Sequence, residues 1–296
     1  MKRIIITGAT GYIGSHVTKY LLSQGFSVAI VVRAHSNLAS VEGFLDRIQV
    51  ITYVDIQHLI PSFKSFRPDT VLHLAACVNT HYKPEDVPSL IQSNIEFGVE
   101  ILEAMKQCGC KNLINTGTYW QNYKTADYDP VDLYAATKEA FEKLIYYYAK
   151  VEEIKAITLR LFDVYGADDK RPKLWNILSE HDTKDNPILL SPGDQMLDMV
   201  YIDDVCSAYL AAINEIKKMH SCEYRIYGVF TGKRYSLKSI VNLYKQLINK
   251  DIFVVFGGKS YKKREVMDPV IYPRIPNWQP KITLIEGLNK VIEALT

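Results

Sequence analysis

A tyrosine and a lysine four residues apart form the most reactive pair in the sequence. Tyr134 and Lys138 fall within a helical pattern from Leu133 to Lys150, and residues at i and i+4 share one helix face. A free tyrosine has a pKa of about 10, and an adjacent cation favours the phenolate and lowers that pKa toward neutrality. The pair therefore predicts a general acid or base, although most isolated pairs with this spacing belong to ordinary surface helices.

The start of this helix is predicted from the residues before it. Asp129 is expected to cap the helix, with Pro130 at the first helical position and Asp132 in the first turn. This end of the helix would add positive electrostatic potential beside Tyr134.

A pair of hydroxyl residues strengthens the catalytic interpretation. A strand-like stretch from Asn112 to Asn115 leads into Thr116, Gly117 and Thr118. Open α/β sheets bind ligands at the carboxyl ends of their strands. We therefore predict that Thr118 hydrogen-bonds a substrate carbonyl.

A glycine-rich turn near the amino terminus predicts a dinucleotide site. It follows an apolar strand and precedes a helical pattern. Gly8 would permit the tight turn, Gly11 would let a pyrophosphate approach the backbone, and Gly14 would let helix and strand pack closely. The alternative is a sharp turn without a ligand, but its position at the start of a βαβ series favours the dinucleotide. The predicted contacts in this turn are Gly8, Thr10, Gly11, Tyr12, Ile13 and Gly14.

The end of the second predicted strand indicates which dinucleotide binds. NAD sites of this type carry an acidic residue there, whereas this chain has Arg33. A guanidinium could form charge-assisted hydrogen bonds to a 2′-phosphate, so we predict NADP(H); the alternative is a solvated surface charge. After the third strand, Asp55 and Ile56 are predicted to meet the adenine, although Asp55 could equally be a turn residue.

The elements that position these residues alternate between strands and helices. From Met1 to about Leu161, short β-branched runs are separated by helical patterns, as in repeated βαβ units. We predict an α/β fold, a Rossmann-type doubly wound parallel sheet with a smaller substrate-binding domain. Residues 1–165, with 197–218 returning, would form the dinucleotide-binding domain, and residues 166–196 and 219–296 the smaller one.

Composition excludes several other classes of function. The formal net charge is only +2, and the basic residues are scattered, so we expect no nucleic-acid partner. No apolar run approaches the roughly 20 residues of a membrane span, and no signal peptide is evident, which favours a cytoplasmic protein. The five cysteines and seven histidines show no metal-ligand spacing, so no metal site is expected.

Taken together, these motifs resemble the extended short-chain dehydrogenase/reductase family of nucleotide-sugar epimerases, dehydratases and reductases. Further matching segments are 69–76, 159–166 and 200–205. The resemblance implies that Thr118, Tyr134 and Lys138 are catalytic and that Tyr134 and Lys138 also contact the cofactor. It further implies that a nucleotide sugar lies between the two domains, that the protein is a homodimer, and that the cofactor is lined by Leu74, Ala75 and Ala76.

Departures from the family patterns narrow the predicted reaction. Dehydratases of the family carry Asp-Glu directly after the catalytic threonine, whereas here Thr118 is followed by Tyr119, Trp120 and Gln121. Epimerases retain a tightly held NAD and typically the acidic residue that Arg33 replaces. The sequence therefore favours NADPH-dependent reduction of the 4-keto group of a CDP- or dTDP-linked 6-deoxy or 3,6-dideoxy hexose for surface polysaccharides such as O-antigen. An NAD-containing epimerase and a non-catalytic dinucleotide-binding protein are the alternatives.

Three further residues are predicted to contact the substrate. Asn79 follows the Ala75-Ala76 segment and would face the hexose, unless it is an ordinary polar loop residue. Asp163 stands where the family usually has Asn, and Arg264 is a diphosphate clamp by family position or else part of a solvated basic run.

Overall fold

Seven parallel strands form the central sheet of the computed structural model, which describes residues 2–171, 173–180, 187–250 and 252–295. The strands are β1 Arg3–Thr7, β2 Ser27–Arg33, β3 Ile48–Tyr53, β4 Thr70–His73, β5 Asn112–Thr118, β6 Lys155–Leu161 and β11 Tyr224–Val229. The strand order is β11-β6-β5-β4-β1-β2-β3, and the chain changes direction across the sheet between β1 and β4. Such a switch point leaves a crevice at the carboxyl ends of the strands.

Helices cover both faces of this sheet, as predicted. The helices are α1 Tyr12–Ser23, α2 Ile56–Phe66, α3 Val87–Ile91, α4 Phe97–Cys108, α5 Leu133–Val151, α6 Leu174–Glu180, α7 Ile202–Ile216, α8 Leu237–Ile248 and α9 Leu284–Leu295. In the described ranges, none of them combines the length and hydropathy needed to span a bilayer.

The core has two layers because successive side chains of a strand point to opposite faces. Ile4 and Ile6 of β1 join one apolar cluster, whereas Ile5 joins the other. The first cluster includes residues of α1 and α7, and the second includes residues of α2, α4 and α5. The first cluster also extends to Val229 of β11 and Leu288 of α9, so both ends of the chain contribute to it.

Six short strands form three two-stranded sheets beside the main one. The pairs are β7 Asp163–Tyr165 with β10 Met199–Tyr201, β8 Ile188–Leu190 with β13 Val254–Phe256, and β9 Met196–Leu197 with β12 Tyr235–Ser236. The β11 strand, at 224–229, falls within the range predicted for the smaller domain but joins the central sheet, so the return to that sheet extends beyond residue 218. The division into two domains otherwise stays a prediction.

The predicted fold class is confirmed, and one local expectation is wrong. Between α3 and α4 the chain forms a π-helical turn at Gln92–Glu96. The α5 helix is capped by Asp132, whose Oδ1 accepts the Ala135 N–H at 2.8 Å. Asp129 lies outside the helix, and its carboxylate pairs with Arg264, a contact between distant parts of the chain.

Candidate active site

The predicted cofactor and catalytic residues lie at one edge of the central sheet. All seven strands are parallel, so their carboxyl ends meet at that edge. The segments found there are 8–14 after β1, Arg33 at the end of β2, Asp55 and Ile56 after β3, Leu74, Ala75 and Ala76 after β4, and Thr118 at the end of β5.

The glycine turn has the shape of a phosphate cradle. Gly8 has a φ of 71°, and a Cβ there would lie 2.6 Å from the backbone nitrogen of Ala75. A Cβ on Gly14 would overlap the carbonyl oxygen of Gly8, so neither position accommodates a larger residue. Gly11 precedes α1 and provides no side-chain cap, which leaves N–H groups at the helix start for an anion. This backbone fits the pyrophosphate of a dinucleotide.

Within the same turn, the side chain of Tyr12 contacts the segment that follows β7. Its hydroxyl donates to the Ala167 carbonyl at 3.0 Å, and its ring lies 4.8 Å from the Arg171 guanidinium. Arg171 in turn donates from Nε to Asp169 at 2.7 Å. Any cofactor contact of Tyr12 would therefore come from its backbone or ring.

Two charged residues at this edge have different surroundings. The Arg33 side chain is exposed, and among the described residues it has no hydrogen-bond or ion-pair partner. Asp55 is the N-cap of α2: its Oδ1 accepts the His58 N–H at 3.0 Å and lies 2.7 Å from His58 Nδ1. An adenine amino group would therefore have to use the other oxygen of Asp55.

Tyr134 and Lys138 share one face of α5 in the cleft. Lys138 is 1% exposed, and within the described ranges its Nζ has no hydrogen-bond partner. Burial lowers the pKa of Lys138 to about 8, while Glu142 opposes this effect. A buried ammonium without an acceptor is unfavourable, so the hydroxyls of a nicotinamide ribose fit this position.

The expectation that Lys138 lowers the pKa of Tyr134 is wrong for this structure. Burial raises the pKa of the Tyr134 phenol, and the nearby Asp132 carboxylate raises it further. Desolvation disfavours the charged form of a tyrosine, and here it outweighs any cation nearby. Tyr134 is therefore protonated at neutral pH, the form that donates a proton.

Thr118 presents a hydroxyl donor at the end of β5. Its Oγ1 accepts the Trp120 N–H at 3.3 Å, and its own N–H donates to Gln121 Oε1 at 2.9 Å. Because Oγ1 acts as an acceptor within the chain, its hydrogen is available for a substrate carbonyl oxygen.

The three predicted substrate residues already have partners in the chain. Asn79 donates from Nδ2 to Asp86 at 3.0 Å, which ties it into its own loop. The Asp163 carboxylate accepts the Tyr119 hydroxyl at 3.2 and 3.3 Å, and this tyrosine follows Thr118 directly. Arg264 pairs with Asp129, and its guanidinium lies 4.4 Å from the Tyr123 ring. The structure thus joins Asp163 to the residue that follows Thr118, whereas Arg264 is held by the loop before α5.

Asn94, which was not predicted from the sequence, connects the segment after β4 to α5. Asn94 is fully buried in the π-helical turn and donates from Nδ2 to Thr137 Oγ1 at 2.9 Å and to the Cys77 carbonyl at 3.0 Å. Its Oδ1 accepts the Cys77 N–H at 2.7 Å. The only signal was an asparagine within an apolar helical pattern, which does not reveal its partners.

We expect the Asp163→Asn variant to be more stable than the wild type at neutral and alkaline pH. Burial raises the pKa of Asp163 from 3.8 to about 6, with Lys173 opposing. The folded state therefore holds this proton more tightly than the unfolded state, and the resulting stabilisation is present below about pH 4 and lost as pH rises through 6. At pH 8 the variant should gain about 1 to 3 kcal/mol in the free energy of unfolding.

Urea unfolding at pH 4, 6 and 8 checks this expectation. The gain should shrink toward zero at pH 4, and the exposed Asp46→Asn variant should show no such trend. An equal effect of Asp163→Asn at every pH would contradict the assignment.

Known proteins are similar to this chain in both sequence and fold. Residues 4–227 match the NAD dependent epimerase/dehydratase family. The chain is 30% identical over 270 residues to a CDP-abequose synthase of Yersinia pseudotuberculosis, covering 90% of this chain and 91% of that protein. It is 25% identical over 322 residues to a UDP-glucuronate 4-epimerase of Thermodesulfobacterium geofontis, covering 97% and 94%.

Among solved structures, the UDP-glucose 4-epimerase of Thermotoga maritima with UDP-glucose superposes with a TM-score of 0.84. The superposition covers 99% of this chain and 98% of that chain at 24% identity, and supports the fold. Since the family match runs from β1 into β11 and contains the glycine turn, Thr118, Tyr134 and Lys138, the chain belongs to the NAD dependent epimerase/dehydratase family, within the extended short-chain dehydrogenases/reductases.

Proposed function

We propose that the protein uses NADPH to reduce the 4-keto group of a nucleotide-linked 6-deoxy or 3,6-dideoxy hexose. The observation that carries the proposal is the unpartnered Arg33 guanidinium at the end of β2, where an NAD site would have a carboxylate. An enzyme that draws on free NADPH carries out a net reduction, whereas an epimerase reoxidises its own bound cofactor within each turnover.

The residues present fit this cofactor. The glycine turn would hold the pyrophosphate, Lys138 Nζ the nicotinamide ribose, and Arg33 the 2′-phosphate. When bound, NADPH would supply the hydride that adds to the carbonyl carbon.

The chain's own residues supply the rest of the reaction. The Thr118 hydroxyl donates a hydrogen bond to the substrate carbonyl oxygen and so orients it. As the C–H bond forms, the Tyr134 phenol gives its proton to the developing alkoxide, which yields the alcohol and leaves a phenolate. The raised pKa of Tyr134 keeps the proton in place until the oxyanion forms.

The similarity to CDP-abequose synthase supports a deoxysugar substrate. That name denotes an enzyme of a 3,6-dideoxyhexose pathway. A CDP-linked sugar is therefore the first candidate and a dTDP-linked sugar the second. Asn79, Asp163 and Arg264 stay predicted substrate contacts, with Arg264 having to exchange Asp129 for the diphosphate. The homodimer likewise stays a prediction.

An NAD-dependent nucleotide-sugar epimerase is the second candidate. The similarity to the UDP-glucuronate 4-epimerase of Thermodesulfobacterium geofontis favours it, because the match covers 97% of this chain and 94% of that protein. A non-catalytic dinucleotide-binding role accounts less well for a buried Lys138 beside Tyr134 and Thr118.

A cofactor assay separates these functions. Purified protein is supplied with NADPH or NADH and a panel of CDP- and dTDP-linked 4-keto-6-deoxy and 4-keto-3,6-dideoxy hexoses, with UDP-glucose and UDP-glucuronate in parallel. We expect oxidation of NADPH with a keto sugar and a 4-hydroxy product. Interconversion of the UDP sugars without net cofactor oxidation would replace the proposal with the epimerase, and binding without turnover would replace it with the non-catalytic role.

A further inference from the structure

A cluster of buried charged and polar side chains contacts the backbone of Thr118. Gln121 is 0% exposed, Glu142 2%, Arg160 5% and Glu139 6%. The Arg160 guanidinium contacts Glu139 at 2.7 Å and Glu142 at 2.8 Å. Buried carboxylates persist only when they are paired and hydrogen-bonded, so the geometry of this cluster is tightly constrained.

The Gln121 amide is the junction between this cluster and β5. Its Nε2 donates to Glu139 Oε2 and to Glu142 Oε1, both at 2.7 Å. Its Oε1 accepts the Thr118 N–H at 2.9 Å. Both amide hydrogens and the amide oxygen are therefore used, and the reversed orientation would place oxygen against two carboxylates.

Gly117 shows that the strand end is shaped around this amide. A Cβ at this position would lie 2.8 Å from Gln121 Oε1 and 2.9 Å from Glu142 Oε1. Absence of a side chain at Gly117 is what allows the amide to reach the backbone of Thr118.

The other side of the junction is the helix that carries the proton donor. Tyr134, Lys138 and Glu142 follow one another at four-residue intervals on α5, and Glu139 lies on the same helix. One amide thus joins the strand end that presents the Thr118 hydroxyl to the helix that presents Tyr134 and Lys138.

We propose that Gln121 is a positioning residue. It holds the Thr118 hydroxyl in place relative to Tyr134 and Lys138, so that one carbonyl oxygen meets both the Thr118 hydroxyl and the Tyr134 phenol. The inference rests on the proposed function, in which those donors share that oxygen. Gln121 itself contacts neither the substrate nor the cofactor. A misplacement of the reacting groups by about 1 Å can cost as much as 10²-fold in rate, which gives the scale of the effect.

The test compares Gln121→Glu with the wild type across pH. The new carboxylate would face Glu139 and Glu142 of α5. Arg160 of β6 is the nearby cation, and the Tyr224 hydroxyl of β11 donates a hydrogen bond to Glu142. We expect kcat for the keto sugar to fall at least about tenfold at pH 8, with the KM for NADPH unchanged. As the pH is lowered, the ratio of variant to wild-type kcat should rise, because a protonated glutamic acid again donates to a carboxylate.

Two comparisons make the result specific. Gln107→Glu makes the same change at an exposed position of α4 and should match the wild type at every pH. Gly117→Ala would push the amide aside without adding a charge, so its kcat should fall with no recovery in acid. Gly117→Ala also keeps the inference testable if Gln121→Glu does not fold.

Hydrogen exchange gives a readout that does not depend on turnover. In Gln121→Glu, repulsion from Glu139 and Glu142 should draw the side-chain oxygen away from the Thr118 N–H. Exchange in the peptide covering residues 116–121 should then speed up, while the amides of α5 stay protected. Unchanged exchange in this peptide of the Gln121→Glu protein, or a kcat loss in that variant that acid does not reverse, would overturn the positioning role. If the wild type reduces no keto sugar, the proposed function fails, whereas the exchange result still decides whether Gln121 holds Thr118.

Discussion

Replacing Tyr134 by Phe should lower kcat for the keto sugar by about 10²-fold or more, because the reaction loses its proton donor. The ring stays in the cleft, so the KM for NADPH should change little. The residual rate would come from Thr118 and from binding, which still orient the carbonyl. Single-turnover oxidation of NADPH measures the chemical step directly.

Tyr148→Phe is the matched control for this variant. Tyr148 lies on the same helix and is 7% exposed, and its hydroxyl donates to Glu103 at 2.5 Å, away from the cleft. It should retain wild-type kcat. A Tyr134→Phe protein as fast as the wild type would remove Tyr134 from the mechanism.

Replacing Arg33 by Asp should reverse the preference between the two dinucleotides. The wild-type guanidinium would form charge-assisted hydrogen bonds to the 2′-phosphate, worth roughly 1.5 to 3 kcal/mol each, and the variant would present a like charge. We expect kcat/KM for NADPH to fall by about 10²-fold or more, and kcat/KM for NADH to rise because a carboxylate can accept the ribose 2′-hydroxyl. Steady-state kinetics with both dinucleotides measure the change.

Arg67→Asp provides a comparison with the same change of charge. Arg67 is exposed at the carboxyl end of α2, just before β4 begins, and therefore at the opposite edge of the sheet. Its kinetics should be those of the wild type. Equal use of NADPH and NADH by the wild-type protein would refute the role of Arg33.

Local patterns were sufficient to predict the central sheet except for β11. The apolar runs appear in the sequence because the central strands are buried by helices on both faces, whereas the edge strand β3 is partly exposed. The doubly wound fold and the family are confirmed. Gly8 and Gly14 were identifiable because only glycine fits there. The four-residue spacing of Tyr134 and Lys138 likewise placed both residues on one helix face.

What the sequence did not predict depends on contacts between distant residues. Asp129 was predicted as a helix cap from the Pro130 and Asp132 that follow it, whereas its actual partner, Arg264, lies 135 residues away in the chain. The direction of the Tyr134 pKa shift depends on the depth of the cleft, which spacing does not encode. Gln121 and Asn94 are ordinary polar residues until the fold supplies their acceptors. The same holds for β11, whose place in the sheet depends on pairing with β6.

The apolar cluster that runs from Ile4 through Val229 to Leu288 limits how far the chain can be divided. A fragment ending near residue 165 would expose the face of β1 and α1 that the later residues cover, and so would not be an autonomous folding unit. Exchanging the carboxyl-terminal part between relatives, as a route to new sugar specificity, therefore means transplanting part of the hydrophobic interior as well. Successful chimeras should be those whose junctions preserve the packing of β11 and α9 against the amino-terminal strands.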